Sequence, residues 1–440
     1  MNKRALAVLL LFAGCATYTP NARLQHFDRT HGYRFSNVAA TAGEDETFVI
    51  LAFSGGGTRA AALSYGVLQE LARTRIHGGA GTLLDEVDVI SSVSGGSFTA
   101  AAYALAGRMP LEGFERDFLR HDVQRDLLYA TINPRNWLRL LSSRFSRSDL
   151  ATEYYDTHIF DRKRFSDLPR KRPYIVLNAT EIDLGSRFEF TQEQFDPICS
   201  DLDAMKIGRA VAASSAFPLL LTAVTLHNYS GTCSYQEPEW VANAMDDRFI
   251  NPSRFRTAIE QRAYSDSERR FIQLMDGGLA DNIGLRGPLR ALSSNDPGFS
   301  VLRLMNRGRV KRVVVIDVDA EKGSGVTLDR NESQPTVVQV LNAVSNTPMA
   351  NYSFDTLELL RESISAWNKD QAVSPDGLRQ IAFYRVHIAF ASLPPAERKF
   401  FDDLPTSFAL KSEQIDALLA VGPRLLRESA DYQKLLTDLK

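Results

Sequence analysis

Cysteine is scarce in this chain, with only Cys15, Cys199 and Cys233 among 440 residues. No Cys-x-x-Cys pair and no metal-type spacing occurs, so neither a zinc site nor a dithiol redox motif is expected. Histidine is also sparse, with seven in all. An excess of charge of one sign is missing: the formal net charge is -2. That removes the bulk attraction that nucleic-acid partners require. Internal repeats and low-complexity tracts are absent too, and nothing divides the chain into independent domains. What remains is ordinary globular composition, 44% hydrophobic and 24% charged, at a length that allows a sizeable core.

The first residues read as a targeting segment. Lys3 and Arg4 precede the apolar run Ala5 to Ala13. That run suits the core of an export signal and is too short to span a bilayer. Phe12-Ala13-Gly14-Cys15 resembles a bacterial lipobox, with Phe12 where Leu is usual. The resemblance implies cleavage before Cys15, lipid on its thiol and, with Ala16 next, the outer membrane. The competing reading is a plain secretory signal. Residues 1–14 are thus expected as signal peptide, 15–45 as lipidated Cys and tether, and 46–440 as the domain with a C-terminal helical extension. An exported chain meets an oxidising setting, which predicts a Cys199–Cys233 disulfide; two free buried thiols are the alternative.

Strand-like and helix-like segments alternate. Thr47 to Phe53 reads as a strand and ends in Ser54-Gly55-Gly56-Gly57. Leu63, Val67, Leu68 and Leu71 then recur at helical spacing. Val87 to Val93 reads as a second strand, running into Ser94-Gly95-Gly96 and a helix towards Leu105. Further strands are expected at Tyr174–Ala179, Arg312–Asp317 and Ile381–Ala389. Helices are expected at Met205–Ser214, Thr336–Val344, Phe354–Asn368 and Ser412–Leu426. Repeated strand–glycine turn–helix units predict an α/β fold in three layers, a mostly parallel sheet with helices on both faces.

Three glycine-rich turns carry candidate chemistry. Ser92-Val93-Ser94-Gly95-Gly96 follows the Gly-x-Ser-x-Gly nucleophile pattern with Ser92 in place of the first Gly. A sharp strand-to-helix turn exposes and aims a hydroxyl, although most serines in such turns are structural. Gly55, Gly56 and Gly57 open a helix, where backbone N–H groups converge on an anion such as the oxyanion of acyl transfer. No Lys follows as a phosphate-binding P-loop requires, and Ala60 breaks a dinucleotide fingerprint. Arg59 is read either as a contact to a substrate phosphate or as the partner of a nearby acid. Asp276 closes the apolar segment Phe271–Met275 and precedes Gly277-Gly278, a place suited to a general base but also to an ordinary turn.

Together these motifs resemble those of patatin-like phospholipases. Phe53–Arg59 is similar to their oxyanion loop, Ser92–Gly96 to their nucleophile elbow and Asp276-Gly277-Gly278 to their Asp-Gly-Gly motif. Ala210–Pro218 is similar to the Ala-Ser-x-Ala-x-Pro segment beside the site, and Leu404–Phe408 looks like the C-terminal part of bacterial members. The resemblance implies a Ser94–Asp276 dyad, lipid esters as substrate, and no cofactor or metal; a membrane surface is expected as partner through Cys15. A catalytically silent lipid-binding scaffold is the alternative. His387 is the single histidine after Asp276, but it lies within an apparent strand and reads as structural. Finally, Arg135, Arg139, Arg144 and Arg147 interleave with Trp137, Leu138, Leu140, Leu141 and Phe145, without an acid between 131 and 148. This stretch reads as a membrane contact, a cap over the site, or a surface helix packed on the core.

Overall fold

The computed structural model describes residues 16–39, 46–218, 220–293, 310–323, 332, 334–369 and 381–439. The expectations for the signal segment and Cys15 lie outside these residues.

Among the described residues an eight-stranded sheet forms the centre. Its strands are β1 Thr47–Phe53, β2 Val87–Val93, β3 Tyr174–Glu181, β4 Ser186–Glu189, β5 Val224–His227, β6 Phe271–Asp276, β7 Arg312–Asp319 and β8 Ala382–Ala389. The order is β8-β7-β1-β2-β3-β6-β5, with β4 also paired to β3. From β8 to β3 all neighbours are parallel; β4, β6 and β5 join antiparallel. Helices cover the sheet to give the three-layer α/β arrangement. That covering is why β1 is a nearly continuous apolar run and why every residue of β1 and β2 is buried, Asp88, Ser91 and Ser92 of β2 included.

The principal helices are α1 Gly57–Arg73, α2 Gly95–Ala106, α3 Val123–Ile132, α4 Pro134–Leu140, α5 Arg147–His158, α6 Ile207–Ser214, α7 Val337–Lys369 and α8 Ser412–Glu428. Leu63, Val67, Leu68 and Leu71 of α1 are fully buried. α8 packs along α1, so the C-terminal helix belongs to the body of the domain. The two helices expected at 336–344 and 354–368 are one, with Pro348 inside. A proline removes a single backbone donor, and the turns on either side carry the helix through it.

The tether expected over residues 15–45 is corrected for residues 16–39. They are folded onto the domain. Tyr33 is fully buried and stacks on Tyr174, and the buried Arg34 pairs with Asp196 at 2.7 Å. Leu24 N–H donates to the Cys199 carbonyl and Phe27 N–H to that of Cys233. Polar composition misled here because backbone bonds and a few aromatic anchors, rather than apolar content, hold the segment.

Cys199 and Cys233 are joined by a disulfide with Cα atoms 5.5 Å apart. The bond closes a loop that contains α6. Closing a loop with a sequence separation of 34 removes unfolded-chain entropy worth about 4 kcal/mol. The Cys199→Ala/Cys233→Ala variant is therefore expected to be less stable by that margin and to unfold at a lower urea concentration. An unchanged midpoint would show that the link contributes nothing.

Candidate active site

The strand register explains why residues 94 and 276 meet. Asn178 of β3 pairs with Val93 of β2 and with Glu189 of β4. β2 and β4 therefore occupy opposite edges of β3. Ala179 pairs with Phe188 of β4 and with Asp276 of β6, which puts β6 on the same edge as β2. β2 runs parallel to β3 and β6 antiparallel, so their C-terminal ends converge on Asn178 and Ala179. The residues at those ends are Ser94 and Asp276.

Ser94 has φ 49° and ψ -117°, a backbone conformation that L-residues rarely adopt. The bend turns its Oγ towards Asp276 Oδ2, to which it donates at 2.8 Å. Asp276 Oδ1 accepts the Gly278 N–H at 2.9 Å, and the Asp276 carbonyl accepts from Thr180 Oγ1 at 2.8 Å. The carboxylate is thus fixed on both oxygens.

Ser214, at the end of α6, joins the two strand ends. Its Oγ accepts the Ser94 N–H at 2.9 Å and donates to the Asn178 carbonyl at 2.6 Å. Its own carbonyl accepts the Gly277 N–H at 3.1 Å. The Ala210–Pro218 motif signalled this neighbourhood; which of its hydroxyls did the joining was not readable from the sequence. Ser92, the departure from glycine in the elbow pattern, is buried with its hydroxyl satisfied. It accepts from Ser97 Oγ at 3.2 Å and donates to the Val176 carbonyl at 3.3 Å.

The glycine run lies directly against this elbow. A Cβ on Gly95 would come within 2.0 Å of the Gly57 carbonyl oxygen. The N-termini of α1 and α2 are therefore in contact, and their aligned dipoles favour negative charge between them. Gly57 has φ +60°, and a Cβ there would meet the Ser407 carbonyl at 2.4 Å. That carbonyl accepts the Thr58 N–H at 2.9 Å, so the Leu404–Phe408 tail grips the loop.

Two expectations need correction. Gly55 is not free to serve as an oxyanion donor, because its N–H is spent on the Asn282 carbonyl at 3.0 Å. The N–H groups of Gly56 and Gly57 have no protein acceptor among the described residues. Arg59 does not reach for a substrate phosphate. It is 3% exposed and donates to the carbonyls of Ala320 at 2.9 Å and Leu404 at 3.0 Å. Burial lowers its pKa to about 10, against the charges of Asp319, Asp402 and Glu321. It ties the loop to β7 and the tail. His387 sits on edge strand β8, separated from β2 by β7 and β1, with its Nδ1 hydrogen-bonded to Asp317.

A three-layer α/β fold with a strained serine at a strand-to-helix turn, facing a carboxylate and a glycine-lined helix end, has the architecture of a nucleophile-elbow protein. A profile of patatin-like phospholipases matches residues 51–289. The chain belongs to the patatin-like phospholipase family. No curated protein sequence matches it. Among solved structures, human GIVD cytosolic phospholipase A2 superposes with TM-score 0.47 and 14% identity, covering 99% of this chain and 63% of that one. The same human protein in complex with methyl gamma-linolenyl fluorophosphonate gives TM-score 0.41 and 13% identity, covering 100% of this chain and 64% of that one. VipD from Legionella pneumophila gives 0.29 and 12%, over 91% and 71%. The chain spans less than two thirds of the human chains it matches.

Burial pushes the Asp276 carboxyl up to about 6, although the Gly278 N–H and the Ser94 hydroxyl both favour its charged form. A base must be ionised to accept a proton. Below about pH 6 the carboxyl is neutral and the Ser94 proton has no acceptor. Accordingly kcat/KM on a soluble ester should fall as pH drops through about 6, approaching tenfold per unit. A profile flat from pH 4.5 to 8 would be incompatible with Asp276 as the base.

Proposed function

We propose that this protein is a serine acyl hydrolase that cleaves ester bonds of lipids, phospholipids included, through a Ser94–Asp276 dyad. One observation carries the reading: Ser94 Oγ, on a strained elbow, donates to the buried Asp276 carboxylate at 2.8 Å beside two abutting helix N-termini.

The chemistry follows from the geometry. Ser94 Oγ attacks the ester carbonyl carbon while its proton passes to Asp276 Oδ2. The carbonyl oxygen becomes an oxyanion. The Gly56 and Gly57 N–H groups at the start of α1 are the donors that stabilise it. Collapse breaks the ester C–O bond. The proton on Asp276 goes to the departing alcohol, and the acyl group stays on Ser94. Water then attacks the acyl-enzyme, gives its proton to Asp276, and the fatty acid leaves as the proton returns to Ser94 Oγ. These steps use only side chains and backbone amides of the chain. A binding scaffold would have no use for a strained serine held against a carboxylate.

For localisation, we read Cys15 as acylated and the protein as anchored to the outer membrane. The support is the lipobox resemblance of Phe12–Cys15.

Ser94→Ala and Asp276→Asn are each expected to lower kcat/KM on lipid ester by about 10³-fold or more, since the pair acts as a unit. A fluorophosphonate probe should label the wild type and leave Ser94→Ala unlabelled. Near-normal turnover by Asp276→Asn would overturn the dyad, and a comparable loss in His387→Ala would point to a triad instead.

A further inference from the structure

Surface helices normally turn their apolar stripe inward. The α3–α4 pair, a bent hairpin of two helices joined at Asn133, keeps Val123 and Leu127 against the core but exposes a second apolar set. Leu128, Tyr129 and Ile132 of α3 are 58%, 58% and 52% exposed. Trp137 of α4 is 56% exposed and Leu141, the residue after it, 70%. α4 buries none of its residues. Isolated exposed apolar side chains need no explanation, but four large ones on two consecutive helices, with Leu141 just beyond, call for one.

Three observations say what covers it. The first is charge. Arg135 and Arg144 are exposed beside the apolar residues, and the chain carries no acid from 131 to 148. An apolar centre with a basic rim complements an anionic lipid interface. The second is the route of the chain. The Ala16 carbonyl accepts from Ser142 Oγ at 2.6 Å, and Tyr18 N–H donates to the Arg144 carbonyl at 2.8 Å. Ala16 and Tyr18, at the start of the described residues, are thus held against the segment that follows α4. The third is its connection to the dyad. Gln124, in the first turn of α3, exchanges two bonds with Phe408: its N–H donates to the Phe408 carbonyl at 3.3 Å, and its Oε1 accepts the Phe408 N–H at 3.2 Å. The adjoining Ser407 carbonyl holds Thr58 beside Gly57.

We propose that the α3–α4 hairpin is the surface by which the protein docks on an anionic bilayer. Leu128, Tyr129, Ile132, Trp137 and Leu141 enter the interface, and Arg135 and Arg144 meet the head groups. The purpose of this docking rests on the lipid-hydrolase reading. The hairpin brings the glycine loop, which it supports through Phe408 and Ser407, to the leaflet from which substrate is drawn.

Tryptophan reports the insertion directly. The chain has three, at 137, 240 and 367. In the full chain carrying Trp240→Phe/Trp367→Phe, Trp137 emission should shift to the blue on vesicles of phosphatidylcholine and phosphatidylglycerol. It should be quenched when the acyl chains are brominated near the head group, and less so on phosphatidylcholine alone. In the wild-type background, Leu128→Ser/Leu141→Ser should lower hydrolysis of vesicle lipid about tenfold or more and leave turnover of a monomeric water-soluble ester unchanged. Insertion without hydrolysis of either substrate would uphold the docking surface and overturn the hydrolase reading. Absence of quenching at Trp137 would overturn the docking surface. So would a wild-type dimer in sedimentation that Leu128→Ser/Leu141→Ser dissociates, which would mean a second copy covers the hairpin.

Discussion

Two strands that run towards each other along one edge of β3 are the constraint on which the site depends. β2 arrives at Asn178 and β6 at Ala179, adjacent residues of one strand. A parallel and an antiparallel neighbour sharing an edge must meet end to end. The turn that leaves each end therefore faces the other. Ser214 closes the gap between them, touching both turns and β3 itself. It holds Ser94 through its backbone N–H and leaves the Ser94 hydroxyl to Asp276. We read it as a positioning residue.

Burial sets the electrostatic character of the pair. Asp276 is 2% exposed and Ser94 7%. Taking a carboxylate out of water raises its pKa, and two well-placed donors limit the rise, which leaves it at about 6. In the reaction proposed for the pair, that is low enough to be ionised at neutral pH and high enough to hold a proton transiently. No cation is needed against the carboxylate. The helix ends at Gly57 and Gly95 offer their partial positive charge on the side where an oxyanion would form. Their close approach leaves no room for a side chain at either glycine, so the strain at Ser94 is held in place by packing on every side.

The rest of the chain braces this arrangement from a distance. Arg59 and Ser407 clamp the glycine loop between β7 and the C-terminal tail. The N-terminal segment and the disulfide fasten the loop that carries α6 and, with it, Ser214. α7 lies over the turn after Asp276, where a Cβ on Gly278 would come within 2.5 Å of Met349. The clamp at Ser407 is also the point where α3 joins the tail, so the exposed hairpin and the glycine loop share one support.

Local pattern determined much of what can be said about this protein. β1, β2 and β7 are rich in valine and isoleucine because parallel strands are covered on both faces, and such segments are visible in any sequence. The glycines at 55–57 and 95–96, the serine between strand and helix, and Asp276 at the end of an apolar segment were legible as chemistry. Each owes its type to a turn only a few residues long. What lay beyond local pattern was decided by contact. β4 and β5 are four-residue, half-buried strands that exist through their partners. Gly55 lost its donor to Asn282, and Arg59 its reach to two carbonyls, from residues hundreds of positions away in the case of Ala320 and Leu404. Residues 16–39, polar enough to pass for a tether, fold because their backbone finds partners around Cys199 and Cys233. Sequence declares which groups are present and how each turn must bend. Which of those groups stay free, and which are spent on a neighbour, is settled only when distant strands share an edge.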